Sequence, residues 1–164
     1  MLLGSRQLYQ EAATLPGLHL RGCEYTHDPR TLRNLERFVA VNSALEVDLF
    51  GQCNLEMAGG RAVSGAGGAP DFARGARLSS KGRSIVALNA SISGGGGSRI
   101  VAGLTPPAMT SLSRVDIDYL VTEHGVAVLT GASVHERAAA IITVADPAYR
   151  ESLTQAWQDI AARL

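Results

Sequence analysis

Between Ser64 and Ser79 the chain reads Ser-Gly-Ala-Gly-Gly-Ala-Pro-Asp-Phe-Ala-Arg-Gly-Ala-Arg-Leu-Ser, and this stretch constrains the fold more than any other. Gly65, Gly67 and Gly68 fall close together, which suits a turn that needs positive φ or close approach of another group to the backbone. Pro70-Asp71 and a run able to form a helix follow, with Asp71 as the expected N-cap. Two readings stand. Bare amides at a helix N-terminus can hold an oxygen-rich ligand, and the same glycines can make a tight turn with no ligand at all.

The rest of the composition fixes the class of protein around that loop. Of 164 residues, 46% are apolar and 18% charged, the balance of one globular domain able to bury a core. Fifteen basic residues offset fifteen acidic ones, so bulk charge predicts neither a nucleic-acid nor a membrane surface. No apolar run is long enough to span a bilayer, and the opening Met1-Leu2-Leu3-Gly4-Ser5-Arg6 lacks the order of a signal peptide. Cys23 and Cys53 have no metal-ligand spacing and read as reduced thiols of a cytoplasmic protein. No resident metal is expected.

Along the chain, Ser5 is expected to cap a short helix through Ala13, and Leu18 to Tyr25 reads as a strand by alternation. His27-Asp28-Pro29 turns into a helix through Leu35. Phe38 to Val41 reads as a buried strand, and Leu45 to Phe50 alternates strictly. Further strands are expected at Ser84–Leu88, Arg99–Ala102 and Asp116–Glu123, with Ser93 to Ser98 as a flexible connection. Ser133 and Glu136 have capping-box spacing before a helix to about Ala145. Asp146-Pro147 opens a last helix with Leu153, Trp157, Ile160 and Leu164 on one face. Strands fill the first two thirds and helices the ends, so the expected fold is α/β, a mixed sheet covered by helices.

Few side chains here carry unambiguous chemistry. Asp116 and Asp118 share a strand face and read either as paired carboxylates or as structural acids. Glu123, in Thr122-Glu123-His124-Gly125, could act as acid, base or nucleophile, or lie in a plain turn. Ser79-Ser80-Lys81-Gly82-Arg83 has the look of a phosphate-loop fragment without P-loop spacing. Lys81, Arg83 and Arg99 could meet a phosphate or be solvated surface charges.

Beyond these, the stretch Gly67 to Ser79 resembles the signature loop of the acetyl-CoA hydrolase/acyl-CoA transferase family, nearest to the 4-hydroxybutyrate and butyryl CoA-transferases. Supporting segments follow the family's order: Leu8-Tyr9, Tyr25 to Pro29, Val41 to Gln52, Ser98 to Val101, Asp116 to Ala127 and Glu136-Arg137-Ala138. The resemblance implies a CoA-transferase-like fold of two similar halves, of which residues 1–164 form the C-terminal one, with 1–35 as an extension completing it.

It also implies a mechanism. A glutamate attacks an acyl-CoA thioester to give a glutamyl anhydride and then a glutamyl-CoA thioester, which a second acid or water resolves. Gly68 would help form the oxyanion loop, with Ser64, Gly65, Gly67, Ala69 and Ser93 toward the CoA thioester. The family's nucleophilic glutamate lies upstream of the segment matching Leu8-Tyr9, so Glu123 is the fallback within this chain. Ala69 stands where the signature has Gln, and Ser93 where it has Lys, a loss of one cation toward an anionic substrate. The implied substrates are a CoA thioester, bound transiently rather than as a permanent cofactor, and a short carboxylic acid. The implied partners are a second copy or a separate N-terminal half. The contrasting expectation is a non-catalytic remnant or regulatory module that keeps the fold.

Overall fold

Helix starts depend on chemistry within three or four residues, and those with a side-chain cap at Ser5 and Ser133 fall where the sequence places them. A computed structural model describes residues 3–164; Met1 and Leu2, at the head of the N-terminal stretch read above, lie outside the described residues. The helices are α1 (Arg6–Thr14), α2 (Cys23–Thr26), α3 (Pro29–Arg33), α4 (Ala69–Leu78), α5 (Val134–Thr143) and α6 (Arg150–Ala161), the last entered through a 3-10 turn at Pro147–Tyr149. Ser5 accepts from Leu8 N at 3.3 Å, and Asp28 caps α3 with Pro29 behind it. At α5 the capping box is complete: Ser133 N donates to Glu136 at 2.8 Å and Glu136 N to Ser133 Oγ at 3.3 Å.

The strands are β1 (Val39–Asn42), β2 (Glu46–Asp48), β3 (Cys53–Asn54), β4 (Met57–Ala58), β5 (Arg61–Ala62), β6 (Arg83–Ala87), β7 (Ile100–Val101), β8 (Tyr119–Thr122) and β9 (Gly125–Val128). A four-stranded sheet has the order β1-β6-β8-β9, the first three strands parallel and β9 antiparallel to β8. A three-stranded sheet, β3-β2-β7, is likewise mixed, and β4 and β5 form a small hairpin. Gly59 and Gly60 make that hairpin's two-residue turn, both at positive φ (57° and 74°), where a side chain would be strained. Helix α4 packs on β1 and β6, α5 on β9 and α6. The core between these layers holds Leu49, Ile100, Leu112, Ile117, Leu120, Leu129 and Ile141, all fully buried. Each such side chain contributes about 1.5–3 kcal/mol of transfer free energy. This is the mixed, helix-covered α/β arrangement expected.

Several local expectations give way to tertiary context. Leu18 to Tyr25 forms no strand: no sheet edge accepts it, Leu20 stays 77% exposed, and the chain turns into α2 instead. The strand at 38–41 is not buried. As β1 it holds the sheet edge, leaving Val39 and Val41 at 48% and 63% exposure with Ala40 inside. Asp71 is the third residue of α4 rather than its cap; Gly68 holds the cap position without a side-chain bond. Of Asp116–Glu123 only Tyr119–Thr122 is strand, because Asp116 and Asp118 are drawn to partners on α4 and β6. Strand β9 was not expected at all. Leu164 lies beyond the end of α6 and is exposed, whereas Leu153 is buried. No helix among the described residues is long and apolar enough to cross a membrane.

Candidate functional site

Because β1, β6 and β8 run parallel, their carboxyl ends open on one edge of the sheet, the edge where open α/β folds bind ligands. A cavity of about 730 Å³ lies there. Ser43 and Ala44 after β1, Leu88 and Asn89 after β6, Glu123 after β8 and Arg99 before β7 reach it from strands far apart in sequence. Leu45, Leu55 and Val121 add apolar wall.

Glu123 and His124 are the two turn residues of the β8–β9 hairpin. Thr122 fixes that hairpin, its hydroxyl donating to Val144 O at 2.6 Å and accepting from His124 N at 3.0 Å. One Glu123 oxygen accepts from Ala90 N at 2.8 Å, and this amide above all holds the carboxyl below its ordinary range, so it is ionised at neutral pH. The opposite face of the same segment is tied down as well: Arg99 N donates to Ala90 O at 2.8 Å. Arg99 Nη1 reaches Leu45 O at only 3.3 Å, and its Nε is buried without an acceptor. No carboxylate pairs with Arg99 among the described residues. Buried donors left open in this way mark a place where a ligand oxygen would be welcome.

The glycine loop lies elsewhere. Ser64, Gly65, Gly67, Gly68 and Ala69 do not line the cavity, and neither does Ser93. Ser64 N is held by Glu56 O at 3.3 Å, which ties the start of the loop to the β4–β5 region. Gly68 packs against the rings of His27 and Phe72, so a Cβ there would collide with both. Gly65 and Gly67 have open space where a Cβ would go, Gly67 at φ 55°. The N–H groups of Gly65, Ala66, Gly67 and Gly68 find no acceptor among the described residues. Four consecutive amides before α4 are thus without a protein acceptor, next to a helix N-terminus, the end that favours negative charge. Ser93 sits in the exposed glycine turn between Ile92 and Gly97, where Ile92 N donates to Gly97 O at 2.8 Å.

Asp116 and Asp118 are structural acids. Asp116 is buried beside Arg74, with Nε–Oδ1 at 3.4 Å. Asp118, also buried, accepts from Ser84 N at 2.9 Å and Thr130 Oγ1 at 2.7 Å. Both cysteines are free; Cys53 is buried, and that burial first, then the charge of Asp48, pushes its thiol far above the ordinary value. Of the cations weighed from sequence, Arg99 is no solvated surface charge but part of the cavity wall, whereas Lys81 and Arg83 lie at the sheet's other end. Ser43 and Asn89 were not singled out from sequence, since only strand pairing brings the ends of β1 and β6 beside β8.

Comparison with known proteins gives one concordant result. A family model described as acetyl-CoA hydrolase/transferase C-terminal domain matches residues 4–157. A 4-hydroxybutyrate coenzyme A transferase of Clostridium kluyveri is 39% identical over 152 residues, covering 93% of this chain and 35% of that protein. A succinyl-CoA:cyclohexane-1-carboxylate CoA transferase of Geobacter metallireducens is 37% identical over 154 residues, covering 94% and 35%. The crystal structure of RipA from Yersinia pestis superposes with a TM-score of 0.89 at 36% identity, over 97% of this chain and 36% of that one. The chain thus spans about a third of the length of the relatives it matches.

Proposed function

This chain belongs to the acetyl-CoA hydrolase/transferase family, through that family's C-terminal domain, and from that premise we propose that it is the CoA-thioester-binding part of an acyl-CoA:carboxylate CoA-transferase or acetyl-CoA hydrolase. The observation that carries this reading is the row of free amides at Gly65, Ala66, Gly67 and Gly68. When a nucleophile adds to a thioester carbonyl, negative charge gathers on its oxygen. Preorganised N–H donors stabilise that charge without further rearrangement, typically to the extent of about 2.7–4 kcal/mol per donor. Open space at Gly65 and Gly67 lets a thioester come up to the backbone.

In this reading the nucleophilic glutamate comes from an N-terminal half, upstream or on a separate subunit. Glu123 is the fallback nucleophile within the chain, ionised and fixed by Ala90. The unpaired guanidinium of Arg99 offers a fork to the carboxylate of a short acid, whose alkyl part meets Leu45, Leu55 and Leu88. The relatives' names differ in their acyl acids, so the acid is left general.

Calorimetric titration with CoA and acetyl-CoA tests this. Micromolar binding is expected, abolished by Gly65→Val, whose side chain enters open space in the folded chain and obstructs only a ligand. Gly68→Val is unsuitable as that control because it collides with His27 and Phe72. Absence of binding at millimolar ligand, or full binding by Gly65→Val, overturns the reading.

A further inference from the structure

Opposite the large cavity, at the amino ends of β6 and β8, a second hollow of about 340 Å³ gathers Arg77, Lys81 and Arg83 with Thr130, Tyr119 and Asp118. The chain is neutral overall, yet from Phe72 to Val115 it carries six basic residues and no acidic one. Folding concentrates part of that excess here. Asp118 is already engaged by Ser84 N, by Thr130 and, at 3.5 Å, by Arg77. Lys81 and Arg83 pair with no carboxylate among the described residues. Three cations against one anion leave the hollow with two uncompensated positive charges.

These cations stand on a fixed frame. Ser79 ends α4, accepts from Phe38 N at 3.2 Å and donates to Leu35 O. Gly82 N closes the turn onto Ser79 O at 3.1 Å, and a Cβ on Gly82 would meet the backbone oxygens of Ala76 and Phe38. Lys81 is thereby held in the left-handed region at φ 59°, a conformation that lysine rarely adopts. Arg83 Nη1 is anchored on Gly82 O at 2.7 Å, leaving its other N–H groups to the hollow.

We propose that this hollow binds the dianion of a phosphate monoester, with Lys81 as point charge, Arg83 as fork, and Arg77 between the ligand and Asp118. Two uncompensated charges match a dianion better than a single carboxylate. The space beyond a phosphate group leaves room for the organic part of an ester. The site is separate from the glycine loop and from the carboxyl-end cavity and does not depend on the function proposed for them.

The test is titration of the whole chain with inorganic phosphate, followed by amide chemical shifts and calorimetry at low and moderate salt. Saturable binding is expected, with shifts centred on Lys81, Gly82, Arg83 and Thr130 and affinity at least tenfold weaker in Lys81→Gln/Arg83→Gln. The double variant keeps its fold, as an unchanged melting curve would verify. Arg61→Gln/Arg163→Gln removes the same charge from exposed positions elsewhere and is expected to bind as the parent does. Equal weakening in that control, or shifts scattered over the surface without saturation, overturns the proposal. A further arm separates the sources of the phosphate. Tighter binding of CoA than dephospho-CoA, lost in the Lys81/Arg83 double variant, assigns the site to the 3′-phosphate of CoA. Equal binding of the two assigns it to a free phosphate ester.

Discussion

The two ends of the four-stranded sheet are built from the same strands and differ in almost every other respect. At the carboxyl ends, a cavity of about 730 Å³ has one cation, Arg99, one anion, Glu123, and a wall of mixed polarity. At the amino ends, a hollow of about 340 Å³ has three cations and one anion. The carboxyl end is lined by residues that follow strands, where loops are free to vary and to carry ligand contacts. The amino end is shaped by a turn between α4 and β6 whose geometry Gly82 and Ser79 leave no freedom to change. Parallel strands thus create two chemically distinct ends on one core, and substitutions can be chosen to strike both, one or neither.

Leu120→Ala strikes both. Leu120 is fully buried in β8, between the two ends, and its truncation is expected to destabilise the chain by about 2–5 kcal/mol. Thermal unfolding would measure this, and phosphate binding at the amino end and acetate binding at the carboxyl end should fall together at temperatures inside the lowered transition. Survival of one activity without the other there would show that the ends do not share a core.

Gly82→Ala strikes the amino end alone. Its new methyl meets two backbone oxygens, which cannot swing aside as a side chain can, and about 1–3 kcal/mol of destabilisation is expected. Phosphate binding should be lost while the folded fraction retains acetate binding at the carboxyl end. Ser133→Ala removes the cap of α5, which departs from the amino end after β9, and should cost about 1 kcal/mol in thermal or denaturant unfolding.

The smallest effect is a pH dependence. Hydrogen bonds from Ala90 and from Ser133 hold the carboxyls of Glu123 and Glu136 below their ordinary values. In each the folded chain binds the proton less tightly, so the stabilisation is present above the unfolded value and lost as pH falls through the folded one. Asp48 has the reverse sign: burial raises its carboxyl, and its contribution is present below the unfolded value and lost as pH rises through the folded one. Denaturant midpoints should therefore decline on acidification through the carboxylate range. Glu123→Gln should flatten that decline slightly, and an unchanged slope would show that the Ala90 contact adds no stability.

What could be read in advance follows the range of the forces involved. The caps at Ser5 and Ser133 were legible because each bond spans three residues, and the order of the family's segments was legible because it is linear. Asp116 and Asp118 were left between two roles, and only packing against Arg74 and β6 decided for structure. Alternation at 18–25 misled because a strand also needs a partner, and no edge of these sheets takes up this segment. The hydrophobic run at 38–41 misled because its place at the edge of the sheet comes from pairing with β6, forty-odd residues on.

The sequence by itself determined the boundaries of the helices other than α2 within a few residues, the glycine turn before α4, the α/β class and the family. The tertiary structure decided which side chains share a cavity: Arg99 and Glu123 on the wall of one, Lys81, Arg83, Arg77 and Thr130 on the wall of the other. The reason is physical. A cap or a turn is settled among neighbours along the chain, whereas a cavity exists only after strands separated by dozens of residues have paired, and no local pattern encodes that pairing.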